Sequence, residues 1–339
     1  MHQSKQPAVR ISPISNVKSL ASILSLSEQE LFEIAANVDQ LWKPGKLLKK
    51  KSGEPRPTND AREPLKTVHE HIKNRILKQV DYPLYMQGGI ADPKNPRSCK
   101  SHAKVHSGKR VLIAEDIKDF FPSSNCAAVH GIWQYCFNFS PDVAQLLTTL
   151  TTHNGCLPQG WKTSGYLANL VFWDKEPELV LYLEQQGYSY SRFMDDLTVS
   201  SQTRMTQKHK TDVISSIYRM LYGKGFSPKR SKHEIVSANA PMRVTNLGVN
   251  GKQPTVPKKE RQKVRTMVYQ LEQRADSELN TVQYIKDWRS ISGKVGRISS
   301  MHPSEGAGLR NRLRAVKPDP VFMNIMVINN SSKRKKKLA

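Results

Sequence analysis

Apolar positions recur at helical spacing along much of the chain. Leu31, Ile34, Ala35, Val38 and Leu41 put one stripe on a helix predicted over Glu28 to Trp42. Leu65, Val68, Ile72, Ile76 and Val80 form a second stripe, with Pro64 suited to a first helical turn. Ser123-Ser124 are expected to cap a helix running through Ala127, Ile132 and Tyr135, and Pro141 to Thr151 reads as another. Further helices are predicted from about Tyr166 to Leu183, and from Thr206 to Gly223 on the spacing Val213, Ile217, Leu221, closed by Gly223 and Gly225. Short apolar runs lie between them: Val111-Leu112-Ile113-Ala114 is typical of a buried strand, and β-prone residues flank Asp195-Asp196 on both sides. Beyond Gly251 strand signals stop, and helices over Pro257 to Ala275, Thr281 to Val295 and Pro303 to Arg314 are dense in Lys and Arg. The order predicts an α+β body followed by a helical region.

Charge changes the picture most. The 339 residues hold 53 Lys and Arg against 29 Asp and Glu, a formal charge of +24. Such an excess repels itself unless a polyanion neutralises it, so nucleic acid is the expected partner. No apolar stretch approaches membrane-spanning length and no amino-terminal apolar segment stands out, so a cytoplasmic protein is expected. Cys99, Cys126, Cys136 and Cys156 lack paired metal spacing and read as reduced, partly buried thiols. His102 and His106 are four apart, but no Glu follows His102, which excludes a zinc-protease reading.

The candidate chemistry rests on carboxylates. Phe193-Met194-Asp195-Asp196 reads as a strand–turn–strand hairpin with Asp-Asp at its tip. Asp is also a common turn residue, so the pair gains meaning from what stands upstream. The buried strand 111–114 leads into Glu115-Asp116, which presents a third carboxylate, and Leu157-Pro158-Gln159-Gly160-Trp161-Lys162-Thr163-Ser164 is a Pro/Gly loop opening into a helix. Like charges gathered by a fold repel, and such clusters usually hold divalent cations.

Asp116, the loop at 157–164 and the Asp-Asp hairpin, in that order, resemble motifs A, B and C of the reverse transcriptase palm. Lys49 to Pro57 with Pro64-Leu65-Lys66 is similar to the first block of bacterial reverse transcriptases. Ser101-His102-Ala103-Lys104-Val105-His106 is similar to the Asn-Ala-x-x-His signature of retron reverse transcriptases, with His102 where that family has Asn. Gly225-Phe226 through Lys232 to Ile235 resembles motif D, and Arg243-Val244-Thr245-Asn246-Leu247-Gly248 the retron Val-Thr-Gly block, with Asn246 in place of Gly. Phe193-Met194 replaces the usual Tyr-Ala, and Trp161-Lys162 the usual Ala-Pro. These blocks span about residues 47 to 315.

The resemblance implies a right-hand polymerase of α+β class. Its parts would be an N-terminal extension (1–45), fingers (46–110), an antiparallel-sheet palm (111–250, with 123–156 contributing to the fingers), a helical thumb (251–325) and a basic tail (326–339) expected to be disordered. It implies RNA-directed DNA synthesis with two Mg²⁺ ions, Mn²⁺ being a possible substitute, held by Asp116, Asp195 and Asp196. Phe121 matches the steric gate that rejects a 2′-hydroxyl. Gln159 is carried over as a contact to the incoming nucleotide's sugar, Asp119 as a supporting residue near the triphosphate or a cap of the next turn, and Arg56 and Lys51 as triphosphate contacts. Lys232 matches the motif D general acid, with Lys229 and Arg230 as near alternatives. Arg243, Asn246, Lys258, Lys259, Arg261 and Arg265 are expected on nucleic acid. Met194, bulkier than Ala, is expected to press on the primer end.

For a retron enzyme the implied partners are dNTPs, a structured noncoding RNA copied in part into single-stranded DNA, and a separate effector protein in antiphage defence, with priming from a guanosine 2′-hydroxyl. Two other readings stay open. One is a bacterial reverse transcriptase of another kind; the roughly 90 residues after the Val-Thr-Asn block leave room for a thumb but not for maturase, endonuclease or RNase H domains. The other is a palm-derived RNA-binding scaffold without catalysis.

Overall fold

The computed structural model describes residues 5–49, 53 and 55–322, and the chain divides into two compact units, residues 1–245 and 246–339. Lys51 and the tail 326–339 lie outside the described residues.

The first unit is organised on a four-stranded antiparallel sheet. Its strands are β1 (Val111–Asp116), β2 (Ser189–Phe193), β3 (Asp196–Ser201) and β4 (Glu234–Ser237), in the order β4-β1-β3-β2. Val111, Leu112 and Ile113 are all buried, so the central strand reads as an unbroken apolar run because both its faces are covered. The β1–β3 register runs from Val111 opposite Ser201 to Asp116 opposite Asp196. Phe193 pairs with Asp196, which leaves a two-residue turn, Met194-Asp195, with Met194 at φ 60°. Asp196 therefore starts β3 rather than sharing the tip: a two-residue loop suits the twist of paired strands, and it places only Met194 and Asp195 at the apex.

Helices cover the sheet, with several boundaries different from those the stripes predict. The helix at Glu28 starts on a Ser27/Glu30 capping box but ends at Ala36, and Trp42–Pro44 instead pairs with Asn59–Ala61. Pro44 cannot donate within a helix, so strand pairing prevails there. A helix the stripes did not reveal, Val17–Leu24, precedes it on an Asn16 cap. All five residues of the second stripe are buried, although the helix Leu65–His71 passes into a widened turn at Ile72–Ile76. Asn125, not Ser123-Ser124, caps Cys126–Gly131, its side chain accepting from the Ala128 N–H at 2.9 Å; the Ser124 hydroxyl donates back to the Phe120 carbonyl instead. The span 166–183 breaks into Ser164–Leu170 and Glu176–Gln185, with Pro177 in the first turn of the second helix. Pro141–Thr151 and Gln207–Gly223 form as predicted, on Ser140 and Thr206 caps.

The second unit packs three helices, Lys258–Gln273, Val282–Ser299 and Pro303–Ala315, through Val264, Val268, Leu271, Tyr284, Ile291, Val295, Leu309 and Leu313. Among the described residues no helix is long and apolar enough to cross a membrane. All four cysteines are free; Cys99 is exposed, unlike the partly buried Cys126, Cys136 and Cys156.

Candidate active site

The carboxylates meet because β1 is the strand next to the hairpin. Asp116 closes β1, almost fully buried, directly opposite Asp196, and the Ile117 N–H donates to the Asp195 carbonyl at 2.9 Å. The consequence is electrostatic. Burial, then the charges of Asp195 and Asp116, push the Asp196 carboxyl up to about 7, with Lys232 partly opposing them.

The segment carrying Lys232 is sewn onto β1. The Lys229 N–H donates to the Asp116 carbonyl at 2.6 Å, the Lys118 N–H to the Ser227 carbonyl at 2.9 Å, and β4 continues the ladder. Lys232 places its ammonium on the Asp116 carboxylate. Burial alone would lower its pKa, but Asp116, with Asp196 and Asp195, holds it above the ordinary lysine value, so it is charged at neutral pH. On the neighbouring position His233 Nδ1 lies 2.6 Å from Glu115 Oε1, and the Tyr218 hydroxyl donates to Glu115 Oε2 at 3.3 Å. Burial raises the Glu115 pKa, and His233 opposes that rise.

Three crowded oxygen donors with no soft ligand among them suit a hard divalent cation. Asp196, raised by burial and then by the charges of Asp195 and Asp116, is a carboxylate whose ionised form such a cation would favour. As they stand, no three or more His, Cys, Asp or Glu side chains among the described residues form a finished metal cage, and an ammonium sits on Asp116. The donor set fits the group, with Lys232 as the cation now in contact.

The other predicted residues are placed as follows. Phe121 is half-buried and edge-on to Phe120 at 5.8 Å, while Phe120 is core, against Phe172 and Phe226. Asp119 is exposed at φ 46° and its side chain makes no capping bond, so it does not cap the next turn. Gln159 accepts at its carbonyl from the Asn59 N–H at 2.7 Å, fixing the loop. Gly160 follows at φ 116°, where an added Cβ would lie 2.4 Å from the Asn59 carbonyl oxygen. Arg56 lies in a two-residue strand paired with Leu48–Lys49. Arg243 is exposed on the short strand Arg243–Val244. Asn246 and the helix Lys258–Gln273 belong to the second unit, where Lys258 and Lys259 are exposed. Arg261 and Arg265 both engage Glu305, so each is partly committed to the helical packing.

The Met194 side chain turns into a slot beside Gly88 and Gly89, with Asn169 Nδ2 3.5 Å from its sulfur. The sequence reading also passed over Arg192 and Glu176, a fully buried ion pair beneath the hairpin. The available signal was a charge within a β-prone run one residue before Phe193-Met194-Asp195-Asp196. The two histidines of the 101–106 segment are buried as well: His106 bridges the Ser191 and Ser200 hydroxyls at 2.7 Å each, and His102 stacks on Phe193 at 5.6 Å between ring centroids.

Comparison with known proteins agrees with this geometry. The family described as reverse transcriptase (RNA-dependent DNA polymerase) matches residues 48–275. The retron Se72 reverse transcriptase of Salmonella heidelberg is 32% identical over 316 residues, covering 92% of this chain and 82% of the relative. The retron Ec48 reverse transcriptase of Escherichia coli is 25% identical over 332 residues, covering 95% and 81%. Among solved structures, telomerase from Candida albicans aligns with a TM-score of 0.37 and 8% identity over 60% of this chain and 40% of that one. The family match over two thirds of the chain and the retron relative over nearly all of it establish kinship: the chain belongs to the retron-type reverse transcriptases, RNA-directed DNA polymerases of the right-hand α+β fold.

Proposed function

We propose that this enzyme copies part of a structured noncoding RNA into single-stranded DNA, starting from a 2′-hydroxyl of that RNA, and that it serves antiphage defence beside a separate effector protein. The observation that carries the catalytic part is the meeting of Asp116 with Asp195-Asp196 at the sheet end, where burial together with the charges of Asp195 and Asp116 lifts Asp196 to about 7. Asp116, Asp195 and Asp196 are the residues that would hold two divalent cations, Mg²⁺ or Mn²⁺. Bound there, such ions lower the pKa of a primer hydroxyl and stabilise the departing pyrophosphate.

The chain's own residues supply the rest. Lys232, held charged beside the cluster, has a proton to give to the pyrophosphate. Phe121, only half-buried, would meet a ribose 2′-hydroxyl, favouring dNTPs. Gln159, on a loop stitched to Asn59, would bond the nucleotide sugar, and Arg56 would meet the triphosphate. Asp119, exposed and uncapped, keeps a supporting role there. We assign residues 46–110 to fingers, 111–250 to palm, with 123–156 contributing to the fingers, and 251–325 to thumb. In the second unit Asn246, Lys258 and Lys259 would contact nucleic acid, while Arg261 and Arg265 contribute less because Glu305 engages them; in the first unit Arg243 would be a nucleic-acid contact.

The deciding experiment is to purify the protein from its native host and sequence the nucleic acid that accompanies it. A branched RNA–DNA hybrid is the expected result. Linear cDNA without a 2′–5′ branch would leave a reverse transcriptase of another priming class.

A further inference from the structure

Arg192 makes more bonds than an ion pair needs. Its Nε and Nη2 donate to the two Glu176 oxygens at 2.6 and 2.7 Å, and both side chains are wholly buried. The remaining donors go to backbone: Nη2 to the Asn169 carbonyl at 2.9 Å and Nη1 to the Met194 carbonyl at 3.2 Å. The Arg192 main chain is fixed too, its N–H donating to the Tyr85 carbonyl and its carbonyl accepting from the Gln87 N–H, each at 2.7 Å. Tyr190 donates to the same Glu176 oxygen at 2.6 Å, and Phe172 lies 5.4 Å from the guanidinium.

The carbonyl so gripped belongs to the residue in the least favourable backbone conformation of the hairpin. Met194 stands at φ 60°, a region that residues with side chains leave unless their surroundings hold them. A second grip acts on its side chain from the other direction. An ideal Cβ at Gly89, itself at φ 73°, would fall 2.5 Å from the Met194 sulfur, and one at Gly88 would fall 3.0 Å from its Cγ. Asn169 completes the slot, its amide donating to the Gly88 and Gly165 carbonyls at 2.7 Å each. The next residue after Met194 is Asp195.

We infer that Arg192, oriented by Glu176, is a positioning residue that holds the Met194-Asp195 turn in the shape that aims the Asp195 and Asp196 carboxylates. The inference rests on reading those carboxylates as cation ligands. An arginine serves where lysine does not, because one planar fork reaches a carboxylate and two carbonyls at once. The slot at Gly88-Gly89 explains how a bulky residue fits the second position of Phe193-Met194-Asp195-Asp196: its side chain is packed into that slot.

The test compares the full chain with Arg192→Lys, Glu176→Gln, Gly89→Ala and, as reference, Asp195→Asn. Three quantities are read: Mn²⁺ affinity without nucleotide by electron paramagnetic resonance, DNA synthesis on an RNA template with a DNA primer as Mg²⁺ is varied, and thermal unfolding. Arg192→Lys keeps a charge on Glu176 but loses the reach to Met194. We expect its Mn²⁺ dissociation constant and half-saturating Mg²⁺ to rise about tenfold and kcat to fall about tenfold to a hundredfold, with template–primer affinity unchanged. Gly89→Ala leaves the ion pair untouched and is expected to move both metal readouts in the same direction. Wild-type Mn²⁺ affinity and Mg²⁺ midpoint in the folded variants would reduce the pair to core packing and overturn the inference. Should Arg192→Lys fail to fold, Gly89→Ala and Glu176→Gln decide alone. Asp195→Asn separates the two levels: retained synthesis there sinks the ligand reading and the inference with it, whereas lost synthesis beside an unaltered Arg192→Lys sinks the positioning role only.

Discussion

Two groups of charged side chains sit on the same hairpin and are built in opposite ways. Below it, Arg192 and Glu176 are fully buried, of opposite sign and bonded on every side. Above it, Asp116, Asp195 and Asp196 are of one sign, and burial together with the charges of Asp195 and Asp116 pushes Asp196 up to about 7. A buried pair that removes charge from water persists only with near-ideal partners. A cluster of like charges persists only because the sheet register forces it. The buried pair gives the hairpin its shape, whereas the like-charged group is offset by the Lys232 ammonium on Asp116.

Breaking the upper group gives the largest effect. Asp116→Asn is expected to cut DNA synthesis by about 10³-fold, equivalent to roughly 4 kcal/mol of transition-state stabilisation, in a single-turnover assay. Its melting temperature should match or exceed the parent's, because one repulsive charge is gone. A large loss of stability instead would make Asp116 a structural partner of Lys232.

Breaking the lower group inverts that pattern. Glu176→Gln leaves a buried guanidinium without its counter-charge and should cost about 3–5 kcal/mol in urea unfolding. The double variant Arg192→Met, Glu176→Leu should recover much of that loss, since replacing both partners removes the orphaned charge. Equal losses in single and double variants would mean that shape, not charge, dominates there.

A third site tolerates no charge and sharpens the comparison through pH. His69 is buried beside the Leu150 carbonyl, and burial lowers its pKa from 6.5 to about 4. Between those values the unfolded chain binds the proton at His69 and the folded chain does not, so the His69 contribution to stability rises with pH from about 4 to 6.5 and is level above; buried His102 and His106 add in the same direction, and the raised Asp196 opposes them. The amplitude should approach roughly 3 kcal/mol, read from urea midpoints at several pH values. His69→Phe is expected to remove that share of the slope and leave the shares of His102, His106 and Asp196, and a slope unchanged in the variant would assign it elsewhere.

The smallest effect is at the surface. Arg265, half exposed on Glu305, should cost under about 1 kcal/mol as Arg265→Ala. If it also meets nucleic acid, the slope of log affinity against log salt should fall by about 1. An unchanged slope would confine Arg265 to the helical packing.

How much of this was legible in the sequence depends on the distance over which each feature is decided. The Pro141–Thr151 and Gln207–Gly223 helices, and the three helices of the second unit, were readable because apolar spacing and local caps act within a few residues. The span 166–183 misled because an apolar run does not say whether one helix or two will bury it; the break before Glu176 is what brings that carboxylate under Arg192. Asp119 and Ser123-Ser124 looked like caps by type, but capping needs a backbone geometry that Asn125 alone adopts there. Met194 was legible as an unusual residue and not as a pinned one, since its slot comes from Gly88 and Gly89, about a hundred positions away.

By itself the sequence determined the chemistry available: three acidic residues in motif order, a lysine in a motif D-like segment, a basic helical region and a family likeness. Those are properties of residue type and spacing along the chain, and they survive without coordinates. Only the tertiary structure decided that Asp116 lies opposite Asp196, that Lys232 rests on Asp116, and that a buried arginine holds the turn between them. Strand register and burial arise from packing among segments distant in sequence, so no local pattern encodes them.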